Sequence, residues 1–270
     1  MAGLSDKRIL QRAELEILKE FARICEKHHL RYYITAGTLL GAVRHQGFIP
    51  WDDDIDVAMP RADFDKLAGV CRKSLSRDYF YQDWQTERNY PMYFVKIRKN
   101  NTVVCEAEFV GVEMHQGIYI DIFPLDKCPK NELSGKIFFK SVEVLTCAIR
   151  GKVSKNFVCG YTKFYARVLY NFLKCLPKCW LVKFREVIRI VVGWFCSGRI
   201  LCTVDGAHGY PGETYRQEWF AGSVFLDFEG EKYPAPVGWH ELLTNMYGDY
   251  MQPPNEAERT GHFISWERDK

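Results

Sequence analysis

Residues 51–59 read Trp-Asp-Asp-Asp-Ile-Asp-Val-Ala-Met, and this stretch is the strongest guide to the fold. From Asp54 onward, polar and apolar residues alternate, which is typical of a β-strand that is buried on one face. Because side chains alternate faces along a strand, Asp54 and Asp56 are predicted to share one face, with Asp52 just before them. The apolar residues between them, beginning with Ile55, are predicted to point into the core.

Carboxylates on one strand face repel one another unless a cation neutralises them, and oxygen ligands suit Mg²⁺ or Mn²⁺. We therefore predict a Mg²⁺ (or Mn²⁺) site at Asp52, Asp54 and Asp56. A fourth acid, Asp121, lies on a strand-like run at residues 118–122. If that strand neighbours the acidic one, Asp121 completes the metal site or takes the proton from an attacking hydroxyl. The alternative is an acidic turn in which these residues only cap the backbone.

A second motif, Gly37-Thr38, stands sixteen residues before the acidic strand at a predicted strand-to-helix turn. Free backbone N–H groups at such a turn hold phosphate, and Arg44, about two turns further along, is placed to pair a phosphate oxygen. Lys96 and Arg98 share one face of a predicted strand and are expected either to contact a nucleotide or to be solvated. The alternative for Gly37-Thr38 is an ordinary helix start.

Hydrophobic periodicity predicts an α/β (α+β) chain, with a mixed sheet flanked by helices and an inserted basic, aromatic helical region. Pro124 is expected to close the strand at 118–122. Composition shifts near Pro129. The predicted segments are a catalytic core at 1–129, a basic helical region at 130–202 and a C-terminal segment at 203–270 that packs back on the core.

Composition excludes several classes of protein. Among the 270 residues, 47% are hydrophobic and 26% are charged, which excludes a disordered or collagen-like chain, and a net charge of +3 gives no support to nucleic-acid binding. Ten cysteines without any C-x-x-C pair favour free thiols over a zinc site. The first residues lack the apolar core of a signal peptide, so we expect a cytoplasmic protein, with or without peripheral contact at the inner face of the membrane.

Charge is concentrated in one segment. Residues 136–200 hold thirteen Lys or Arg and two acids, hence a local charge of +11 within a total of +3. Aromatic residues, among them Trp180 and Trp194, are interspersed with these cations. Basic helices that carry Trp and Phe are typical of membrane surfaces, so contact with an anionic membrane is one expectation. The alternatives are a helical subdomain that buries its aromatics, and a surface that binds an anionic glycan.

The stretches at residues 37–45 and 47–57 resemble the signature of the LicD family, the choline-phosphate transferases related to fukutin and fukutin-related protein. Residues 120–126, 233–236 and 247–254 resemble later blocks of the same family. The resemblance covers residues 30–254 and is weakest from 135 to 200.

This resemblance implies a nucleotidyltransferase-like fold and a CDP-activated donor, CDP-choline or another CDP-alcohol. The family transfers a phospho-alcohol, most often phosphocholine, to a hydroxyl of a cell-surface glycan or its lipid-linked precursor, in lipopolysaccharide, teichoic acid or capsular polysaccharide. Asp52, Asp54 and Asp56 match its D-x-D-x-D motif, and Gly37 and Thr38 match its glycine motif. The zinc-binding cysteines of fukutin-related protein have no counterparts here, so the resemblance implies no zinc site in this chain.

Other functions stay open at this point. The group transferred is phosphocholine or another phospho-alcohol, such as glycerol, ribitol, ethanolamine or a phosphonate analogue. A nucleotidyltransferase that makes the CDP donor is a close alternative, and a D-x-D glycosyltransferase or a non-catalytic membrane-binding scaffold is a more distant one. Aromatic residues near the motifs would suit a choline cage, although most such residues belong to a core. They are Tyr32, Tyr33, Trp51, Trp84 and Tyr119. His262 is the best histidine candidate near the C-terminus.

Overall fold

A mixed seven-stranded β-sheet forms the centre of the molecule. The computed structural model describes residues 4–158, 160, 164–255 and 265–268. The strands are β1 Tyr33–Ile34, β2 Asp56–Pro60, β3 Tyr79–Gln82, β4 Val95–Lys99, β5 Thr102–Cys105, β6 Tyr119–Lys127, β7 Ile200–Cys202, β8 Thr214–Arg216, β9 Ser223–Phe228, β10 Glu231–Pro236 and β11 Ser265–Arg268. The helices are α1 Leu4–Lys27, α2 Ala36–His45, α3 Arg61–Ser74, α4 Glu132–Val153, α5 Phe164–Cys175, α6 Lys178–Phe195, α7 Gly209–Gly212 and α8 Trp239–Tyr247. The predicted α/β class is confirmed.

The order of the strands decides which side chains meet. The main path is β1-β2-β6-β4-β3, and β7 and β8 extend from the far end of β6. Strands β2 and β6 are parallel, while β6 and β4 are antiparallel. Two separate antiparallel pairs, the hairpin of β9 with β10 and the long-range pair of β5 with β11, complete the pairing among the described strands. The acidic strand β2 therefore lies beside the strand that carries Asp121, as the sequence required for a common site.

Apolar spacing in α1 explains how one face of the sheet is covered. Leu10, Ile17, Phe21 and related residues recur every three or four positions, and they are buried in the same core cluster as Val57 and Ile120. Ile55, at the start of the acidic strand, is fully buried, which confirms the predicted alternation. The polar positions of these strands are thereby left for the opposite face.

Strand β6 does not end at Pro124, contrary to the sequence-based expectation, but continues to Lys127. Proline lacks an N–H and is tolerated in a strand where no neighbour needs that donor. On the side of β6 away from β2, pairing with β4 ends at Ile122 and pairing with β7 begins at Asp126. Pro124 lies in this gap, so its missing N–H interrupts neither pairing.

The basic region forms a three-helix unit. Asn131 caps α4 by accepting a hydrogen bond from the backbone of Ser134. The three helices share a small apolar core that includes Leu145, Tyr170 and Leu181. Phe138 and Phe139 of α4 are buried, whereas aromatic residues of α5 and α6 remain exposed.

Residues after 203 return to the main core. Tyr233 of β10 and Leu242 and Leu243 of α8 are buried in the same cluster as residues of β2 and β6. No disulfide links the cysteines whose side chains are described. Among the described helices, none combines the length and apolar character that crossing a membrane requires.

Candidate functional site

Three neighbouring strands place three charged residues in a row across the sheet. Asp56 of β2 is in register with Asp121 of β6, and Asp121 is in register with Lys96 of β4. The Lys96 Nζ atom lies 3.0 Å from Asp121 Oδ1. Because all three positions point to the same face, the row forms the floor of a cavity of about 910 Å³. The predicted approach of Asp121 to the acidic strand is thus confirmed.

The acidic motif lines the same cavity. Asp52, Asp54 and Asp56 all contribute to its wall, while Asp53 is buried and is not among the described residues that line it. This is the alternation that the sequence predicted. Together with Asp121, four carboxylates face one cavity.

Burial and the charges of neighbouring groups shift the pKa values of Asp56 and Asp121. Burial, followed by the charges of Asp54 and Asp121, raises the pKa of Asp56 well above its usual value. Burial also raises the pKa of Asp121, although Lys96 opposes that rise. The Asp121 Oδ1 atom is buried and accepts no hydrogen bond, despite the nearby ammonium group. A cation at this place would relieve the repulsion.

Helix α1 holds the acidic loop from beneath. Lys7 Nζ donates to the carbonyl oxygen of Trp51 at 2.7 Å, and Gln11 Nε2 donates to that of Asp52 at 2.9 Å. One turn further along α1, Glu14 is fully buried and neither of its carboxyl oxygens has a hydrogen-bond partner. Burial and then Asp54 raise the pKa of Glu14 well above its usual value.

The Gly37-Thr38 turn is built against the acidic residues. The side chain of Thr38 is buried, and its Oγ1 accepts a hydrogen bond from the backbone N–H of Asp56 at 2.8 Å. Gly37 lines the cavity, and a Cβ there would lie 2.6 Å from Asp52 Oδ2. Ala36 has a φ of +45°, in the strained left-handed region. Gly37 therefore leaves the space that the Asp52 carboxylate occupies. Thr38 positions the start of the acidic strand through its hydrogen bond with Asp56.

Arg44 lies at one side of the cavity. It donates to the carbonyl oxygen of Tyr250 at 3.0 Å, and its guanidinium lies 5.9 Å from the centre of the Trp51 ring. Both contacts direct it along the cavity wall, where Arg44 itself is a lining residue. This placement suits the predicted contact with a phosphate.

Lys96 and Arg98 share a strand face as predicted, but they are placed differently. Lys96 is buried and lines the cavity, whereas Arg98 is buried and is not among the described lining residues. Arg98 donates to the carbonyl oxygen of Gly117 and to Glu106 Oε2. Burial opposes the charge of Glu106, but Lys96 and Arg98 outweigh it and lower the pKa of Glu106. Arg98 thus supports the site through Glu106.

The aromatic residues near the motifs divide in the same way. Trp51 and Tyr119 line the cavity, whereas Tyr33 is in the core and Trp84 is not among the described lining residues. The Tyr119 ring already has the Lys96 ammonium 3.1 Å from its centre. The cavity also has an aromatic wall that sequence reasoning did not find. It consists of Phe94, Phe109, Phe123 and Tyr247.

A polar wall after β7 was also missed. Glu213 is buried and accepts hydrogen bonds from the hydroxyls of Thr203 and Tyr215. Asp205 lines the cavity and accepts from the backbone of Tyr93 at 3.0 Å. The only signal in the sequence is the glycine-rich stretch at residues 205–212, which is typical of a loop and does not indicate which strand end it follows.

Two further positions, Asp126 and His262, do not belong to the described lining of the cavity. Asp126, the acid five residues after Asp121, accepts hydrogen bonds from Arg61 and from the Tyr93 hydroxyl, so it is a structural residue. His262 lies outside the described residues.

The carboxylates that line the cavity fit a hard divalent cation in the kind of ligand that they offer. Oxygen ligands are those that Mg²⁺ and Mn²⁺ prefer. Burial, and after it the charges of Asp54 and Asp121, raises the pKa of Asp56, and a bound divalent cation would favour the ionised carboxylate. Within the described residues, no three His, Cys, Asp or Glu side chains are grouped closely enough to hold an ion as they stand. Magnesium sites often use one or two carboxylates completed by water and substrate phosphate, which this geometry permits.

Part of the chain matches a known protein family. Residues 29–141 match the family model described as LicD/FKTN/FKRP, nucleotidyltransferase domain. They form a LicD-family domain. The acidic residues at positions 52–56, Asp121 and the Gly37-Thr38 turn fall within it. The LicD domain therefore includes the cavity floor, while the polar wall at 203–215 and the helices α5 and α6 lie beyond the matched residues.

Curated relatives extend the similarity beyond the LicD domain. The lipopolysaccharide cholinephosphotransferase LicD of Haemophilus influenzae is 27% identical over 273 aligned positions, which cover 93% of each chain. An uncharacterised protein of Rickettsia typhi is 43% identical over 60 residues, or 22% of this chain and 19% of its own length. An uncharacterised protein of Rickettsia prowazekii is 46% identical over 48 residues, or 18% of each chain.

Proposed function

We propose that this protein transfers a phospho-alcohol group, with phosphocholine as the first candidate, from a CDP-activated donor to a hydroxyl of a glycan or lipid-linked glycan. The row of Asp56, Asp121 and Lys96 on the cavity floor is the observation that carries the proposal. The relative from Haemophilus influenzae, similar over nearly the whole chain, is a cholinephosphotransferase by name and supports the choice of group.

The proposed reaction exchanges one bond to phosphorus for another. The acceptor oxygen forms a bond to the choline-bearing phosphorus, the bond from that phosphorus to the bridging oxygen breaks, and CMP leaves. Asp121 is the proposed acceptor of the hydroxyl proton, since it lies on the cavity floor and burial raises its pKa towards the range useful for a base. Lys96 holds Asp121 in position.

The remaining residues position the donor. Backbone groups at Gly37 and the guanidinium of Arg44 are proposed to bind phosphate oxygens. The aromatic wall formed by Phe94, Phe109, Phe123 and Tyr247 would suit the quaternary ammonium of choline. Mg²⁺ held by Asp52, Asp54 and Asp56 would supply charge neutralisation on the pyrophosphate.

The test is CMP release from CDP-choline with Mg²⁺, with and without a crude cell-surface glycan. Wild type is expected to release CMP, and Asp54→Asn or Asp56→Asn to lose about 10³-fold in rate or more. Asp227→Asn is the matched control, because Asp227 is an exposed β9 residue paired with Lys232. Release that the Asp54→Asn and Asp56→Asn variants retain would contradict the assigned site.

Metal binding needs a readout that does not depend on turnover. Mn²⁺ binding followed by electron paramagnetic resonance is expected for wild type and Asp227→Asn, and to be weakened by Asp54→Asn. The titration is made with and without CDP-choline, because the described part of the chain provides carboxylates but no ready group of three ligands. Equal Mn²⁺ binding by wild type and Asp54→Asn in both conditions would remove the metal assignment.

A second candidate is synthesis of the CDP donor, which the nucleotidyltransferase description of the family model favours. The two reactions differ in their products. CTP and phosphocholine would give pyrophosphate in donor synthesis, whereas CDP-choline gives CMP in transfer. Pyrophosphate release without CMP release would replace the transfer proposal.

A further inference from the structure

Helices α5 and α6 each expose an apolar stripe, and the two stripes together are called the apolar stripe below. On α6 the exposed residues follow one another at spacings of four, three, four and three, which is one face of a helix. They are Trp180, Phe184, Val187, Val191 and Trp194. On α5 the exposed residues Phe164, Val168 and Phe172 are spaced by four. Trp194 and the adjacent Phe195 are 79% and 86% exposed, far beyond what a core position shows.

The outward orientation of this stripe is fixed by the opposite face of α6. Leu181 and Val182 are buried in the core shared with α4. Arg185 is fully buried and donates to the carbonyl oxygens of Pro91 and Met92. Turning the stripe inward would leave a buried guanidinium without these acceptors, so the apolar face is held towards the exterior.

An apolar groove opens between α4, α5 and α6. Its volume is about 590 Å³. Its walls are mainly aliphatic and aromatic, with Ile137, Leu145, Leu169, Phe172, Leu173 and Phe184 as the principal residues. Such a groove offers hydrocarbon contacts and almost no hydrogen-bonding groups, which suits an alkyl or isoprenoid chain.

Cations accompany the stripe. Residues 136–200 carry a local charge of +11. Arg167 on α5 and Lys183 on α6 are exposed, and no described carboxylate lies within ion-pair distance of either. The mixture of exposed Trp and Phe with unneutralised cations matches an anionic lipid surface. A symmetric contact with a second copy would bring two such positive faces together, which charge repulsion opposes.

We propose that the α5–α6 face binds the surface of an anionic lipid bilayer, and that the groove takes one hydrocarbon chain of a lipid. Helix α4 joins this face to the cavity, since Ile137 lines the groove and Arg150 lines the cavity. A lipid-linked molecule held in the groove would therefore contact α4, the same helix that contributes Arg150 to the cavity. The binding itself does not depend on the proposed reaction.

The test is co-sedimentation with phosphatidylcholine vesicles that contain or lack phosphatidylglycerol. Wild type is expected to bind only the vesicles with phosphatidylglycerol and to be released by high salt. Trp194→Ser/Phe195→Ser and Arg167→Glu/Lys183→Glu should each weaken partition about tenfold or more. Matched controls are Phe225→Ser, which removes an exposed phenylalanine on β9, and Arg72→Glu/Lys73→Glu on α3, which should bind as wild type does.

Leu169→Lys places a charge inside the groove and is expected to weaken partition as well. Unchanged partition of this variant would overturn the role of the groove. Absence of binding to the anionic vesicles, or equal binding by all variants, would overturn the lipid surface. Dimerisation in analytical ultracentrifugation that Phe195→Ser abolishes, without vesicle binding, would assign the face to a second copy. Circular dichroism melting curves establish that each variant folds, and no substrate is present, so failure here leaves the transfer reaction untouched.

Discussion

At the scale of single residues, Gly37 approaches Asp52 so closely that it restricts the residue type at position 37. A Cβ at position 37 would lie 2.6 Å from Asp52 Oδ2, and the neighbour is the end of a side chain that is able to rotate. The fold therefore tolerates an added methyl group, but the carboxylate does not keep its place. Gly37 therefore affects the site because its missing side chain leaves room for the Asp52 carboxylate.

Gly37→Ala is accordingly expected to lower CMP release about tenfold or more while the protein still folds cooperatively. Gly69→Ala is the matched control, because Gly69 lies in α3 with nothing within 4 Å of the added Cβ. That control should stabilise the protein by about 0.5–1 kcal/mol and leave the rate unchanged. Urea unfolding and the CMP assay measure both effects, and a Gly37→Ala variant with full activity would contradict the assigned place of Asp52.

At the scale of elements, one hydrogen bond joins α2 to β2. Thr38 Oγ1 accepts from the backbone N–H of Asp56, at the position where the acidic strand begins. The N–H of Thr35 in turn donates to the carbonyl oxygen of Asp56. The Gly37-Thr38 turn and the acidic strand are thus fixed to each other through the backbone of Asp56.

Thr38→Val keeps the shape of the side chain and removes the acceptor. The buried N–H of Asp56 is left without a partner, so we expect a loss of about 1–3 kcal/mol in the free energy of unfolding. Thr38→Ser retains the hydroxyl and is expected to lose less than Thr38→Val. Urea denaturation of both variants measures the difference, and equal losses would show that the hydrogen bond contributes nothing.

At the scale of the whole molecule, charge is divided between two regions. Acidic side chains gather at the cavity, and the helical region carries +11. Beneath the cavity, burial and then Asp54, Asp53 and Asp52 raise the pKa of Glu14 well above 4.5. The folded protein therefore holds a proton on Glu14 at pH values where the unfolded chain has released it.

This proton gives a pH dependence of global stability. Since the folded state binds more protons, the free energy of unfolding due to Glu14 falls as the pH rises from about 4.5 towards the folded pKa. Glu14→Gln removes that loss, so its stability relative to wild type should increase with pH. Urea unfolding at several pH values from about 5 to about 8 measures this, with Glu26→Gln on the same helix as the matched control. A relative stability that does not change with pH would contradict a protonated Glu14.

The sequence by itself determined the local elements and the chemistry they carry. Alternation placed Asp52, Asp54 and Asp56 on one face and Ile55 in the core, because strand geometry has a period of two that is independent of the rest of the fold. Hydrophobic periodicity likewise predicted a mixed sheet flanked by helices and an inserted helical region. These features depend on neighbours within a few residues.

Only the tertiary structure decided which elements meet. The strand order places Asp121 and Lys96 beside Asp56, and the packing places Arg98 against Glu106. The tertiary structure allows β6 to continue past Pro124 to Lys127. It also added the polar wall around Glu213, more than 150 residues away in the chain from Asp56. Such contacts form between segments that are distant in sequence, where propensity and periodicity carry no information, and they follow from burying one common core.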